Sequence, residues 1–292
     1  MHPVAGKVVF ITGAARGIGA ETARLLAARG ARIALVDIDE EPLAALAAEL
    51  GDSAVAIVAD VVDFEAMERA AAAAVEAFGR IDVCLANAGI ASYGTVATVD
   101  PQMFRRVIDV NLNGVFHTVR ATLDQIAAQR GYVLIVSSLA AYAHAPGLAP
   151  YNASKAGVEH LANAFRLEVG HRGVAVGSAH MSWIDTPLVQ ESRSDLAFDG
   201  DPIRRMPGPL GATSTVRECA EAFVDGIERR STRVNVPGWV GVMRWLKPAL
   251  TVPPISTVMG REAARQVPLM EAHLKKLGRS ASERTGSLSD HD

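Results

Sequence analysis

The chain has 292 residues, of which 49% are hydrophobic and 21% are charged, and its formal net charge is -3. This composition is typical of a globular protein with a sizeable core. A charge balance so close to neutral gives no electrostatic reason to expect nucleic acid as a partner.

The start of the chain runs directly into a strand pattern. Residues 1–7 show no charged region followed by an apolar stretch and a small-residue cleavage site, so a cytoplasmic location is expected. The alanine-rich run 70–77 is too short to span a bilayer. Cys84 and Cys219 lack metal-ligand spacing, so both are interpreted as buried thiols and no metal site is predicted.

Short β-branched runs alternate with helical patterns along most of the chain. Strand patterns cover 8–11, 32–36, 55–58, 81–85, 132–136, 174–177 and 233–236, and helical patterns cover 17–29, 40–50, 63–78, 101–128, 151–171 and 214–229. This alternation predicts an α/β fold of βαβ units around a parallel sheet. The strands are apolar almost throughout, as expected for strands covered on both faces.

The pattern loosens after Pro187. We interpret 187–212 as a lid beside the site, within a catalytic domain that covers 1–238. Residues 239–278 are predicted to form a C-terminal helical extension, with a helix over its second half. Residues 279–292, rich in serine and charge, are predicted to be disordered.

The extension mixes tryptophans and aliphatic residues with Arg244 and Lys247. Such a mixture would suit a peripheral contact with a membrane surface. Packing on its own or a neighbouring subunit is the favoured interpretation, because Pro248, Pro253 and Pro254 interrupt any long amphipathic helix.

A glycine-rich segment, residues 12–19, lies between the first strand and the first helix. Glycine permits the tight turn and the close backbone approach that a pyrophosphate requires, and the helix start offers unpaired N–H groups. We therefore predict that Gly13, Gly17, Ile18 and Gly19 belong to a dinucleotide site. In isolation, an ordinary strand-to-helix turn would have the same pattern.

The second strand ends at Asp37, roughly twenty residues beyond the glycine segment. A carboxylate there can accept hydrogen bonds from the adenine ribose hydroxyls and would repel a 2′-phosphate, which favours NAD over NADP. Arg16 argues the other way because it could reach a phosphate, but it would have to overcome the charge of Asp37. NADP therefore stays open as the alternative.

Polar positions also follow the third and fourth strands. These are Asp60-Val61 and Asn87-Ala88-Gly89, at the sheet edge where doubly wound folds bind their ligands. We predict that they lie on the adenine side of the cofactor and order its loops. Asp60 could equally be the N-cap of the next helix.

A candidate catalytic group comes from the fifth strand and the helix after it. Ser138 closes the strand, and Tyr151 and Lys155 lie four residues apart, so they share one helical face. A nearby cation and the positive nicotinamide of NAD⁺ would both favour the phenolate and bring its pKa toward the range useful for general-base catalysis. Each residue alone has an ordinary structural explanation, but one pocket could collect all three.

The sequence resembles the short-chain dehydrogenase/reductase family in its short, single-domain form, over roughly 6–238. The resemblance is carried by Thr12-Gly13-x-x-x-Gly17-x-Gly19, Asn87-Ala88-Gly89, Asn111, Ser138 and Tyr151-x-x-x-Lys155. It implies a Rossmann-type, doubly wound, seven-stranded parallel sheet with helices on both faces. It also implies a homotetramer or homodimer that uses the helices near 101–128 and 151–171.

The same resemblance implies the residue roles. Tyr151 would exchange the proton with the substrate hydroxyl, and Ser138 would hydrogen-bond the substrate oxygen. Lys155 would bind the nicotinamide ribose and lower the pKa of the tyrosine. Asn111 would hold a water that links Lys155 to solvent.

One departure from the family pattern follows the sixth strand, where the family usually has Pro-Gly and this chain has Met181-Ser182. Ile184 and Thr186 still match the positions that hold the nicotinamide carboxamide. The departure leaves open the path of this loop and the floor of the substrate pocket.

The expected substrate pocket is mostly apolar, which favours a hydrophobic, steroid-like or lipid-derived secondary alcohol or ketone. Its candidate lining residues are Ile90, Leu139, Tyr142, His144, Leu148, Trp183, Leu196, Phe198 and Met206. We therefore predict an NAD(H)-dependent oxidoreductase that acts on CH–OH groups. An NADPH-dependent ketone reductase and a nucleotide-sensing protein without catalysis stay open, although the intact Ser138, Tyr151 and Lys155 speak against the latter.

Overall fold

A computed structural model describes residues 2–196, 203 and 208–287. Its strands are β1 (Val8–Thr12), β2 (Arg32–Asp37), β3 (Ala54–Val58), β4 (Val83–Ala86), β5 (Tyr132–Val136), β6 (Ala175–Met181), β7 (Trp183–Ile184), β8 (Thr213–Ser214) and β9 (Arg233–Val236). Seven of them form one parallel sheet in the order β3-β2-β1-β4-β5-β6-β9, while β7 and β8 pair separately. The predicted seven-stranded, doubly wound sheet is confirmed.

The helices are α1 (Gly17–Ala28), α2 (Glu40–Leu50), α3 (Phe64–Phe78), α4 (Pro101–Ile108), α5 (Gly114–Ala128), α6 (Ala149–Val169), α7 (Pro187–Asp195), α8 (Val216–Glu228), α9 (Val240–Leu246), α10 (Ile255–Leu277) and α11 (Glu283–Ser287). One apolar core lies between the sheet and α1, α2 and α8. A second lies between the opposite face and α3, α4, α5 and α6. Because both faces are covered, β1, β4 and β5 are buried along their whole length.

The helix predicted over 101–128 is divided in the structure. A π-helical turn at Asp109–Asn113 separates α4 from α5. Within it, the Asn111 side chain accepts a hydrogen bond from the backbone N–H of Ile90 at 2.8 Å and donates one to its carbonyl at 2.9 Å. These contacts come from a loop remote in sequence, which is why helical periodicity could not predict the turn.

Strand β6 runs to Met181, beyond the predicted end at Gly177. It pairs with β5 on one side and β9 on the other, which buries its polar residues Ser178 and His180. Those polar residues ended the apolar run in the sequence. Neighbouring strands decide the length of β6, because they satisfy its backbone and cover its side chains.

The C-terminal extension folds back onto the domain. Met270 and Leu274 of α10 pack with Tyr93, which follows β4, in a small separate apolar cluster. The Thr95 hydroxyl donates to Glu271 at 2.6 Å, and a ring nitrogen of His273 lies 2.7 Å from the carbonyl oxygen of Asp195. Helix α10 begins directly after Pro253 and Pro254, and it contains Pro268 within its length.

The structure differs from the predicted disorder over residues 279–287. Ala281, Ser282 and Thr285 are buried, and Arg279 forms an ion pair with Asp195. Composition indicated a solvated tail, but these contacts hold it against the domain. Residues 288–292 of that predicted tail lie outside the described part of the chain.

The predicted lid is described in part. Its first section is α7, and its end is a short 3₁₀ turn at Gly208–Gly211 that leads into β8. Residues 197–202 and 204–207, which include Phe198 and Met206, lie outside the described residues. Over the ranges that the structure does describe, no helix is both long and apolar enough to cross a membrane.

Candidate active site

A cleft opens where the central strands end, and it collects nearly all the predicted site residues. Its lining includes Gly13, Arg16, Gly17, Ile18, Asp37, Asp60, Val61, Asn87, Ala88, Gly89, Ser138, Tyr151, Lys155, Ile184 and Thr186. Two predicted residues, Gly19 and Asn111, lie behind this surface and support it. The parallel sheet creates the cleft because every strand delivers its following loop to the same edge.

The glycine loop is built around two left-handed residues, Gly13 at φ +65° and Gly17 at φ +56°. A side chain is strained in this region, so the turn depends on glycine. Gly19 is required for close packing, because a Cβ there would lie 2.1 Å from the carbonyl oxygen of Gly13. No side chain caps the start of α1, and its first residues, Gly17 and Ile18, line the cleft.

Asn87 ties this loop to β4. Its side-chain amide donates to the carbonyl oxygens of Thr12 and Gly13, both at 3.0 Å. The Thr12 hydroxyl in turn accepts from the backbone N–H groups of Asn87 at 3.1 Å and Ala88 at 3.3 Å. These four bonds fix the loop relative to the neighbouring strand.

Asp37 is oriented by backbone amides at the end of β2. One carboxylate oxygen accepts from the N–H of Ala15 at 2.9 Å, and the other accepts from the N–H of Asp39 at 3.1 Å. Each carboxylate oxygen can accept a further bond. The carboxylate is therefore held in one orientation at the cleft, with acceptor capacity left for a ligand.

Asp60 is held from two sides at the end of β3. It accepts from the N–H of Val62 at 3.0 Å and from Nη2 of Arg106 on α4 at 2.9 Å. The alternative role as a helix N-cap is not seen, because Asp63 caps α3 by accepting from the N–H of Ala66 at 3.0 Å.

Ser138 and Tyr151 form the candidate acid/base pair. The Ser138 hydroxyl accepts from the N–H of Ala140 at 3.1 Å and is hydrogen-bonded to the Tyr151 phenol. Burial raises the pKa of Tyr151 above its ordinary value, and the bond with Ser138 opposes that rise. The net direction is therefore opposite to the one expected from a neighbouring cation, because burial is the largest influence on this phenol.

Lys155 lies one helical turn from Tyr151 and is 3% exposed. Its ammonium donates to the carbonyl oxygen of Val136 at 3.0 Å and lies 5.7 Å from the centroid of the Tyr151 ring. Burial lowers the pKa of Lys155 to about 8. At neutral pH the side chain is therefore a cation, held against the floor of the cleft.

Asn111 supports the site from behind. In addition to its two bonds with Ile90, its amide donates to the Ser154 hydroxyl on α6 at 3.0 Å. The side chain thus joins the loop after β4 to the helix that carries Tyr151 and Lys155. The water relay implied for Asn111 stays a prediction.

Glu159 lies one further turn along α6, on the face shared with Tyr151 and Lys155. It forms an ion pair with Arg233 of β9 and a hydrogen bond with a ring nitrogen of His180 of β6, each at 2.7 Å, and burial lowers the pKa of His180 below its ordinary value. Burial opposes its negative charge, but these two partners hold the pKa of Glu159 at about 2. The network fixes the helix against the two strands beneath it.

The loop after β6 follows a defined path despite the unusual Met181-Ser182. The N–H of Ser182 donates to the carbonyl oxygen of Val236 at 2.9 Å, which keeps the chain beside β9. Ile184 is buried in β7, and the Thr186 hydroxyl caps α7 by accepting from Val189 N–H at 3.3 Å. Met181 and Ser182 both line the cleft, so they form part of its floor.

Comparison with known proteins gives matches over most of the chain. The family model for short chain dehydrogenase matches residues 7–197. The chain is 36% identical over 194 residues to trans-4-hydroxycyclohexanecarboxylate dehydrogenase of Sinomonas cyclohexanicum, covering 63% of this chain and 75% of that protein. It is 36% identical over 192 residues to 3-alpha-(or 20-beta)-hydroxysteroid dehydrogenase of Mycobacterium tuberculosis, covering 65% and 74%.

A solved structure is also similar. It is the 3-ketoacyl-(acyl-carrier-protein) reductase from Brucella melitensis complexed with NADH, with a TM-score of 0.70 and 28% identity, covering 80% of this chain and 97% of that chain. The chain belongs to the short-chain dehydrogenase family. This confirms the predicted family and makes the protein an oxidoreductase that acts on CH–OH groups or ketones, and the similar Brucella melitensis structure is a complex with NADH.

The predicted substrate-pocket residues of this short-chain dehydrogenase are only partly brought together. Ile90 lines the cleft. Tyr142 instead packs inward, with its ring stacked on His180 at 4.5 Å between centroids and its hydroxyl bonded to Arg233 at 3.3 Å. Leu196 packs beside the Tyr93 cluster. Sequence position places a residue near the loops but does not decide which way it faces.

Two charged residues of the cleft lining were missed from the sequence. Arg106 is 7% exposed and pairs with Asp60, and Arg284 of α11 lines the cleft and pairs with Asp39. Neither arginine belongs to a recognisable motif. The one available signal for Arg106 was an arginine on the apolar face of a strongly amphipathic helix, while Arg284 lies in the segment predicted to be disordered.

The buried Lys155 gives the protein a stability term that depends on pH. Below pH 8 the side chain is charged in both the folded and unfolded states, and burial of the charge costs free energy. Between pH 8 and 10.5 the folded side chain is neutral while the unfolded one still binds a proton, so the free energy of unfolding rises with pH. We compare the free energy of unfolding of the wild type with that of Lys155→Met. The wild-type value minus the variant value should rise by up to about 3 kcal/mol between pH 8 and 10.5.

Urea unfolding at several pH values checks this difference. Cys84 and Cys219, whose pKa values are raised by burial, would lower stability at high pH, but both proteins contain them and their effect cancels. A difference that stays constant from pH 8 to 10.5 would contradict the lowered pKa of Lys155.

Proposed function

We propose that this protein interconverts a hydrophobic secondary alcohol and its ketone by hydride exchange with NAD(H), with Tyr151 as the acid/base. One observation carries the proposal. The Tyr151 phenol, bonded to Ser138, lies in the same cleft as the glycine loop and Asp37. One bound dinucleotide could therefore reach from the Asp37 carboxylate to the reacting hydroxyl.

The residues present fit such a cofactor. Gly13 and Gly17 form a turn open to a pyrophosphate, and α1 starts there without a side-chain cap. Asp37 has acceptor capacity for ribose hydroxyls, and Ile184 and Thr186, which line the same cleft, would hold the carboxamide. When bound, the dinucleotide supplies the hydride donor or acceptor and, in its oxidised form, a positive charge beside the site.

Tyr151 would transfer the proton. Burial keeps its phenol protonated at neutral pH, which suits donation to a ketone oxygen during reduction. In the oxidation direction the phenolate accepts the proton of the alcohol, so this direction gains from higher pH. Ser138 accepts from Ala140, and its one hydroxyl proton, which faces Tyr151, would turn to the substrate oxygen.

Lys155 would act on this pair by its charge. Its ammonium is anchored to Val136 and lies close to the Tyr151 ring, so it favours the phenolate over the phenol. A Cβ at Gly89 would lie 3.2 Å from Asn111 Oδ1 and 3.5 Å from the ammonium, so this part of the cleft wall packs closely on both side chains. Asn111 would keep the loop after β4 and α6 at the right separation.

Asp37 is expected to decide between NADH and NADPH. In the wild type we expect tighter binding of NADH, because the carboxylate accepts ribose hydroxyl bonds and repels a 2′-phosphate. Asp37→Asn should weaken NADH binding by about tenfold, as expected for lost bonds to a charged acceptor, and should narrow the gap to NADPH. Fluorescence titration with both nucleotides measures the two dissociation constants.

Asp52→Asn provides the matched control. Asp52 is exposed in the turn after α2, away from the cleft, so its substitution should change neither dissociation constant. Tighter binding of NADPH than of NADH by the wild type would contradict NAD as the preferred cofactor. It would favour the second candidate function, an NADPH-dependent ketone reductase, for which Arg16 at the cleft is the supporting observation.

The substrate is proposed to be a hydrophobic ring alcohol or ketone. The cleft beyond Tyr151 has apolar lining from Ile90, Met181, Leu188 and Val189. The two relatives named above are dehydrogenases of a hydroxysteroid and of a hydroxycyclohexanecarboxylate, both hydroxylated ring compounds.

A panel of cyclic secondary alcohols and ketones tests the proposal, with NADH absorbance as the readout. Turnover of at least one ring compound is expected. If the protein binds NADH but turns over none of them, and Tyr151→Phe changes no measurable property, the proposed ring substrate and the proposed role of Tyr151 both fail.

We further propose a homodimer or homotetramer formed through α5 and α6. Phe116 of α5 is 50% exposed and Leu167 of α6 is 84% exposed, as expected for side chains that a second copy covers. Analytical ultracentrifugation should give a species of two or four times 30.8 kDa. A monomer at micromolar concentration would contradict it.

A weak peripheral membrane contact is proposed for the extension. Trp245 is 75% exposed and Val258 is 63% exposed, and the segment 239–261 has three basic residues and no acidic one. This combination suits an anionic lipid surface. Co-sedimentation with phosphatidylglycerol vesicles, lost in Trp245→Ala, is expected. If this substitution changes the oligomeric state instead, the face contacts a second copy.

A cytoplasmic location stays a prediction.

A further inference from the structure

The C-terminal segment 279–286, here called the strap, is attached beside the lid helix. Arg279 donates to Asp195, at the end of α7, at 2.7 Å. The carbonyl oxygen of Ser280 accepts from the N–H of Tyr93 at 2.8 Å, and its hydroxyl accepts from Asp100 N–H at 3.2 Å. These contacts fix the first half of the strap on the side of the cleft formed by α7 and the loop after β4.

The middle of the strap is packed into the protein. Ala281 is 2% exposed, and Ser282 and Thr285 are each 4% exposed. The Ser282 hydroxyl accepts from the N–H of Thr285 at 3.3 Å, so the short helix carries its own cap. This burial gives the strap a defined course.

The second half of the strap reaches the opposite side of the cleft. Arg284 forms an ion pair with Asp39, which directly precedes α2. Arg16 of the glycine loop lies 3.4 Å from the same carboxylate oxygen. The N–H of Asp39 donates to Asp37, so the ion pairs lie next to the carboxylate proposed to bind the ribose.

Arg284 is also part of the cleft wall, together with Gly17, Asp37 and Ile38. A guanidinium has five N–H donors in a planar fork, so one edge can pair with a carboxylate while another faces a ligand oxygen. The adenosine half of a dinucleotide offers ribose and phosphate oxygens as acceptors. The position of Arg284 matches that half of the cleft.

We propose that the strap closes over the adenosine half of the bound nicotinamide dinucleotide and that Arg284 contacts the cofactor there. This inference rests on the proposed function of the cleft. Because the strap is attached at Asp195 on one side and Asp39 on the other, the cofactor leaves only after one attachment opens. Arg284 therefore slows cofactor dissociation as well as strengthening binding.

The first test compares Arg284→Ala with the wild type. We expect the dissociation constant for NADH to rise about three- to tenfold, the range for one typical hydrogen bond, mainly through faster dissociation in stopped-flow fluorescence. ADP-ribose, which lacks the nicotinamide, should lose affinity by the same factor. Arg261→Ala is the matched control, since Arg261 is an exposed arginine of α10, and it should bind NADH like the wild type.

The second test uses the intact protein and trypsin, which cuts after arginine. NADH should slow cleavage after Arg279 and Arg284, measured by mass spectrometry, because the closed strap is held on both sides. The proposed closure of the strap is overturned if NADH leaves the cleavage rate unchanged. It is also overturned if Arg284→Ala binds NADH and ADP-ribose like the wild type. In that case NADH still binds the wild type and the proposed function stands, whereas failure of the wild type to bind NADH overturns the proposed function itself.

Discussion

Tyr151→Phe is expected to lower kcat for alcohol oxidation by about 10²- to 10⁴-fold, the usual contribution of a general acid/base. The substitution removes only the phenol oxygen. It leaves the ring against Lys155, where the ammonium lies 5.7 Å from the ring centroid, so the cleft keeps its shape. The dissociation constant for NADH should change by less than about twofold, since binding does not depend on the transferred proton. Steady-state rates and NADH titration measure the two quantities.

Tyr132→Phe supplies the matched control for this loss. The Tyr132 hydroxyl donates to the carbonyl oxygen of Ser231 at 2.7 Å, remote from the cleft. Its removal should cost about 1 kcal/mol of stability, the value of one buried hydrogen bond, and leave kcat unchanged. If Tyr151→Phe retains full kcat while Tyr132→Phe behaves as expected, another group transfers the proton.

Gly19→Ala is expected to disrupt the cofactor loop. The new Cβ would lie 2.1 Å from the carbonyl oxygen of Gly13 and 2.8 Å from the Asn87 side-chain nitrogen, the two groups that hold the loop to β4. The loop must move to relieve these contacts. We expect the free energy of unfolding to fall by about 1–3 kcal/mol, the usual cost of overpacking, and NADH affinity to fall at least about tenfold.

Gly260→Ala makes the same substitution in another helix. A Cβ at Gly260 meets nothing within 4 Å, and the residue lies inside α10. Alanine should therefore raise stability by up to about 1 kcal/mol through helix propensity, with no effect on NADH binding. Urea unfolding and NADH fluorescence compare the two variants. Wild-type NADH affinity in Gly19→Ala would contradict the packing role of this glycine.

Most of the fold could be predicted because local patterns and tertiary contacts agree. The apolar runs that begin at Val8, Arg32 and Tyr132 became strands with nearly the predicted bounds, since parallel strands covered by helices need continuous apolar sequence. The predicted end of β6 was too early, because neighbouring strands bury the polar Ser178 and His180. It also missed the π turn, because the reason for it is a contact between Asn111 and Ile90.

The candidate site could be predicted to the extent that its residues follow strands in the chain. Gly13, Asp37, Asn87 and Ser138 all come directly after predicted strands, and the parallel sheet brings such positions to one edge. Arg106 and Arg284 could not be found this way, because they approach the cleft from a helix and from the C-terminal segment. The pKa of Tyr151 likewise depends on burial, which sequence spacing does not reveal.

The sequence by itself determined that the chain folds around a parallel sheet and that Tyr151 and Lys155 share a helical face near a nucleotide loop. It could do so because apolar strand runs, glycine positions and helical spacing are local patterns that extend over a few residues. Only the tertiary structure decided that Lys155 is buried with a lowered pKa and that Arg284 reaches Asp39. Desolvation and ion pairing depend on contacts between segments that are distant in sequence, and those contacts exist only in the folded chain.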